Sequence, residues 1–216
     1  MKDIFLNAGV AVFKKAHVIA LLSVITLIAH NITNPIYGLL ILILSMIFQC
    51  SVSGVLSRLI TNGNSAISDY IDSLKQYLGK YLILGIIISL VFYFISGVFI
   101  VLTNRVNASI TNFVNFLVTL LLTIGFIFIY PVLFRFNHSV KKTLTLSFEC
   151  LRIYKKPLFL ILPLILMQNT VWLIPGNGMI VSILKPLIAT FAQFYIFCFL
   201  LFILNLRENS SDAVHK

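Results

Sequence analysis

Residues 141–166, KKTLTLSFECLRIYKKPLFLILPLIL, join two kinds of helix through a basic hinge. At helical spacing Leu144, Phe148 and Leu151 share one face, and Lys141, Lys142, Thr145, Glu149, Arg152 and Lys156 share the other. Such a segment suits the plane of a membrane surface. After Lys155 and Lys156 comes Pro157, which a helix tolerates in its first turn, and then a run apolar enough for lipid. The stretch reads as a chain that lies on a membrane, turns and enters it.

The same design occurs twice more. Aligning Phe13, Tyr77 and Tyr154 places a small residue four positions earlier (Gly9, Ser73, Cys150) and an apolar one three positions earlier (Val10, Leu74, Leu151), with a lysine within three residues after the aromatic. The aromatics are separated by 77 − 13 = 64 and 154 − 77 = 77 residues, room in each case for one surface helix and two crossings. Three tandem units follow, at about 1–60, 61–135 and 136–206.

Composition supports a polytopic membrane protein. Hydrophobic residues make up 60% of the 216-residue chain and charged residues 10%; ordinary soluble domains are about 45–50% apolar. No cleavable signal peptide is evident ahead of the first apolar run. Cys50, Cys150 and Cys198 lie far apart without metal-type spacing and read as plain core or lipid-facing residues.

A net charge of +10 raises the question of nucleic acid, but the distribution of charge answers it. Only Arg105 and Lys185 fall on one side of the expected spans; the other fourteen of the sixteen Lys and Arg, and all six acids, fall on the opposite side, an excess of 14 − 6 = 8 positive charges. That asymmetry places both termini in the cytoplasm. It accounts for the basic balance through topology and attraction to anionic headgroups, so no nucleic-acid partner is expected.

The expected architecture is all-α, with six transmembrane helices and three cytoplasmic amphipathic surface helices. The spans lie near 16–29, 36–56, 81–102, 113–134, 157–174 and 187–206, with a disordered tail at 207–216. The first surface helix carries Ile4, Phe5, Ala8 and Val12 on one face; the second carries the stripe Ile67, Tyr70, Ile71, Leu74 and Leu78, with Asp69 and Asp72 as solvated charges favouring its dipole. His30 and Pro175-Gly176-Asn177-Gly178 belong to external turns, Trp172 is an interfacial anchor, and Pro163 kinks the fifth span. Lys185-Pro186 is expected to end a short external helical turn before the last span.

Catalytic machinery is not legible. The expected spans hold no charged side chain away from their ends, and there is no nucleophile elbow, zinc motif, phosphate loop or carboxylate pair beyond the solvated Asp69 and Asp72. No enzyme activity, cofactor or metal is expected. What remains is uncharged polarity. Gln49, Ser53, Gln168, Asn169 and Gln193 are candidates to line a site for a neutral or amphiphilic molecule, with interhelical hydrogen bonding as the plainer role. Lys14, Lys15, Lys80, Lys141, Lys142, Arg152, Lys155, Lys156 and Lys185 are candidates to meet lipid headgroups or a membrane protein partner.

A small-residue helix ending in F/Y-x-K and leading into a hydrophobic hairpin, carried by NAGVAVFKKAHVIALL and LSFECLRIYKKPLFLILPL, resembles a group of prokaryotic six-span membrane proteins. That group includes YciC-like proteins and the membrane domain attached to some glycerophosphodiester phosphodiesterases. The resemblance implies a prokaryotic cytoplasmic membrane. The phosphodiesterase acid and histidine motifs are missing here, so hydrolase activity does not carry over. The leading reading is a non-enzymatic membrane component that binds partner proteins or lipids at the cytoplasmic face; the alternative is a small permease or the substrate-binding subunit of a transporter.

Overall fold

The computed structural model describes residues 2–31, 35–103, 108–171 and 179–214, and every element among them is helical. They are α1 (Lys2–Lys14), α2 (Ala16–Asn31), α3 (Pro35–Asn62), α4 (Ser68–Thr103), α5 (Ala108–Phe126), α6 (Ile129–Phe136), α7 (Val140–Ile153), α8 (Lys155–Thr170) and α9 (Met179–Val214). Four segments are long and apolar enough to cross a membrane: Ile43–Asn62, Ser68–Phe99, Thr111–Phe136 and Val181–Leu206. A fifth arises if α1 and the first part of α2, bent by 68° at Lys15, count as one broken span. The protein is thus a helical bundle with the character of a membrane protein.

The bundle is built around α9. It packs against α1, α2, α3, α6 and α8. Phe194, Ile196, Phe197, Cys198, Phe199, Leu200 and Leu201 are buried in it on all sides, as expected of a helix that is apolar all round. The long last apolar run is therefore the centre of the fold. It continues through Lys185 and Pro186 as one helix rather than ending in a short external turn. Pro186 removes one backbone donor, and its own carbonyl accepts the Thr190 hydroxyl at 2.7 Å.

Two further boundaries differ from expectation. The second surface helix and the third span form a single helix, α4, of 36 residues. It is about 54 Å long at 1.5 Å per residue, well beyond a hydrocarbon core of about 30 Å. Nothing in Tyr77 to Tyr81 breaks a helix, and Gly79 alone does not suffice. The fourth span is instead interrupted at Ile127 and Phe128. Across the break Ile127 N–H reaches Ile124 O at 3.4 Å and Val132 N–H reaches Phe128 O at 2.9 Å. Pro131 has no N–H to offer the Ile127 carbonyl, which is why the helix divides there.

Two of the three amphipathic surface helices, together called the collar, bury faces other than their largest apolar ones. In α7 the buried residues are Thr143, Ser147 and Cys150, while Leu144 and Leu151 are half-buried and Phe148 is exposed. At the start of α4 Ser73 and Tyr77 are buried, and Ile67 and Ile71 on either side of the turn are exposed. Small residues let helix backbones approach closely, so they take the contact and leave bulky groups outside. The aligned small residues all follow this rule: Ser73 and Cys150 are buried, and a Cβ on Gly9 would stand 3.6 Å from Tyr195 Cε2. The first collar helix behaves as read, with Ile4, Ala8 and Val12 buried and Phe5 packed on Phe199 at 4.5 Å.

The end of α6 ties α3 and α4 to the turn before α7. Its last carbonyls have no intrahelical donors. Asn137, in the left-handed conformation at φ 49°, gives its N–H to Leu133 O at 2.8 Å. Ser57 and Tyr77 hydroxyls both donate to Phe134 O, at 3.3 and 3.4 Å. Lys80 Nζ donates to Asn137 O at 2.9 Å and to its side-chain Oδ1 at 2.8 Å. Asp69 is not merely solvated: Arg58 pairs with it, and the Ala66 N–H donates to it at 2.6 Å. Arg58 also lies 3.6 Å from Asp72, so the α3–α4 turn is pinned by charge.

Candidate functional site

Between α3, α4, α5, α6, α8 and α9 lies a cavity of about 270 Å³. Its polar wall consists of Ser53, Thr123, Gln168 and Gln193, with the hydroxyl-bearing rings Tyr81 and Tyr130. Phe92, Phe126, Phe194 and Phe197 are half of the rest, and among the described residues no charged side chain lines it. A charge at such depth is costly, whereas uncharged amides are tolerated when a partner is found.

Three of the five residues expected to line a site, Ser53, Gln168 and Gln193, are on the wall itself. Each comes from a different helix, α3, α8 and α9, so only the fold brings them together. The other two stand one contact behind it. Gln49 accepts the Tyr81 hydroxyl through Oε1 at 3.2 Å. Asn169 gives its amide N–H to Ile165 O at 2.7 Å and accepts the Thr123 hydroxyl at 3.5 Å. Thr123 also donates to Thr119 O at 2.8 Å. Gln49 and Asn169 therefore hold wall residues in place. By contrast, Ser53, Gln168 and Gln193 make no side-chain hydrogen bond among the described residues.

The aromatic part of the wall went unread in the sequence. Tyr81 stacks on Tyr130 with ring centroids 4.4 Å apart and planes 26° from parallel, an offset arrangement that favours ring pairs. Phe92 and Phe126 face each other at 6.2 Å. With 19 Phe and 8 Tyr in the chain, no single ring stands out by composition. Pro131 was the available signal: it lines the cavity, and the carbonyl it leaves without a donor belongs to Ile127, another wall residue. Irregular backbone at membrane depth is tolerated where it is buried or lines a cavity.

The basic candidates divide into two groups. Lys141, Lys142, Arg152, Lys155 and Lys156 are exposed along α7 and the start of α8. Lys14 is exposed at the end of α1, and Lys185 is half-buried in α9. Lys80 is committed to Asn137, and Lys15 sits 5.7 Å above the Tyr70 ring. His138, in the turn before α7, has its pKa lowered first by partial burial and then by the charges of Lys142 and Lys80. His30 has no described side chain, and Trp172 and the turn 175–178 lie outside the described residues.

Comparison with family models, curated proteins and solved structures gave no match.

Proposed function

We propose that this protein is a non-enzymatic membrane component that holds a neutral or amphiphilic molecule in the cavity between its helices, as a small permease or the binding subunit of a transporter would. One observation carries the reading: Ser53, Gln168 and Gln193 converge on one cavity with their hydrogen-bonding groups uncommitted among the described residues. A few convergent polar groups in a largely apolar pocket are the arrangement that orients a small ligand. The test is purification in native lipid patches without detergent, followed by mass spectrometry of small molecules, for the wild type and for Ser53→Phe. A stoichiometric neutral molecule present in the wild type and lost in the variant supports the reading. Its absence from the wild type, or unchanged retention by the variant, overturns it.

A second reading places lipid headgroups or a protein partner on the basic collar. It is favoured by Lys141, Lys142, Arg152, Lys155 and Lys156 lying exposed beside exposed Phe148 and Ile153, the pairing that suits an anionic interface. Charge reversal at Lys141, Lys142, Lys155 and Lys156 should weaken association with anionic vesicles while the protein still inserts; undiminished association refutes this reading.

The same proposal includes six crossings, with both termini on the cytoplasmic side of a prokaryotic inner membrane. The four long apolar segments would then be joined by α2 and α8, each of 16 residues and completed by its flanks. The charge distribution supports the orientation. The helix breaks at Lys15 and Tyr154 support a repeated unit in the first and third parts, while α4 is continuous in the second.

A further inference from the structure

The wall of the cavity narrows the class of molecule it takes, an inference that rests on the binding role proposed above. We propose that the ligand is a neutral, flat, unsaturated ring system carrying oxygen acceptors, the chemistry of a quinone headgroup.

Three features converge on this class. The first is charge: among the described residues no ionised side chain lines the cavity, so an ionic ligand would leave water with no counter-charge to receive it. The second is shape. Aromatic rings come from four helices, Tyr81 and Phe92 on α4, Phe126 on α5, Tyr130 on α6 and Phe194 and Phe197 on α9. Flat π-systems gain from aromatic neighbours, offset-stacked or edge-on, beyond simple area burial, and an alkyl chain does not. The third is the set of donors. Gln168 and Gln193 each bring two amide N–H groups and Ser53 a hydroxyl, from three separate helices and without partners among the described residues. Carbonyl oxygens at more than one edge of a ring can engage donors so distributed. The volume fits a head alone. At about 270 Å³ it falls below the range of about 300–1,000 Å³ usual for small-molecule sites, so one or two fused rings fill it and any long tail must leave the bundle.

The experiment is calorimetric titration of the full-length protein in phosphatidylcholine nanodiscs with three probes: menadione, methylnaphthalene, which has a similar ring but no oxygens, and monooctanoylglycerol, a neutral aliphatic amphiphile. The wild type should bind menadione saturably at one site, and Ser53→Phe should abolish it. Methylnaphthalene should bind at least about tenfold more weakly, as should menadione to Gln168→Leu/Gln193→Leu, the loss expected when hydrogen bonds to a buried oxygen are removed. The methylnaphthalene comparison needs no variant and stands even if the double variant fails to fold. Equal binding of menadione and methylnaphthalene overturns the role of the oxygens. Saturable binding of monooctanoylglycerol, sensitive to Ser53→Phe, without binding of menadione overturns the ring class and leaves the cavity as a binding site. Saturation by none of the probes overturns the ring class, and the mass spectrometry described above then decides the binding role separately.

Discussion

Gly54→Ala tests how closely α3 and α4 are packed. A Cβ on Gly54 would overlap both Cβ and Oγ of Ser73 and stand 3.4 Å from Phe134 Cε1. Ser73 is fully buried, and its hydroxyl is held by Asp69 O at 2.6 Å. Turning the hydroxyl away does not help, because the Ser73 Cβ is fixed to the α4 backbone; the two helices must move apart. Forcing a methyl into a packed contact costs about 1–3 kcal/mol, and the rigidity of the obstacle puts this case in the upper half of that range. The better helix propensity of alanine returns about 0.5–1 kcal/mol, which leaves a net loss of about 1–2.5 kcal/mol. Separation would also lengthen the bond from Ser51 Oγ to Tyr70 O, now 3.1 Å, across the same interface. The assay is equilibrium unfolding in mixed micelles, with three comparisons. Gly79→Ala, where a Cβ meets nothing within 4 Å, should be stabilising. Gly85→Ala meets only the mobile end of Met46 and the Tyr130 hydroxyl and should cost less than Gly54→Ala. Ser73→Gly should restore much of what Gly54→Ala loses. A Gly54→Ala protein as stable as the wild type, or one that Ser73→Gly does not rescue, would refute the close α3–α4 approach.

Other consequences are equally direct. The Tyr154 hydroxyl is buried without a hydrogen-bond partner among the described residues, so Tyr154→Phe should leave thermal stability unchanged or raise it; a clear drop in Tm would show that the hydroxyl has a partner. His138 has a folded-state pKa below the ordinary imidazole value of about 6.5, so the neutral form is favoured by the fold. Its contribution is complete above that value and declines as pH falls through it, because the unfolded chain takes up the proton more readily. An NMR titration should show the depressed value, and Lys142→Gln should raise it; no change on removing Lys142 would contradict the assigned cause. Arg58→Met removes the pairing with Asp69 and Asp72 and should destabilise the α3–α4 turn, more at low salt than at high, as measured by local hydrogen exchange.

Much of this organisation was legible in the chain because lipid imposes simple rules. Continuous apolar runs gave the long helices, and uncharged polar residues within them gave Ser53, Gln168 and Gln193, which meet only in three dimensions. Boundaries were less legible. A basic or proline-bearing site can end a helix, bend it or pass through it unchanged: Lys15 marks a bend of 68°, Lys80 lies mid-helix, and Lys185-Pro186 interrupts nothing. Tertiary contacts decide among these outcomes. Which face of an amphipathic helix meets the bundle was not legible for a related reason. Amphipathic patterning ranks residues by hydrophobicity, whereas close helix contact selects small ones, so Thr143 and Ser147 are buried and Phe148 is not. The aromatic wall was illegible because rings are abundant throughout, and only the carbonyl orphaned by Pro131 marked the place.

The most direct test of the central claim is an experimental structure of the protein in native lipid nanodiscs, at a resolution that shows side chains. The account predicts density for a non-protein molecule within the cavity, in hydrogen-bonding distance of Gln168 or Gln193 and against the Tyr81–Tyr130 pair. A bundle in which Gln168 and Gln193 bond to neighbouring helices and side chains fill the space would contradict it.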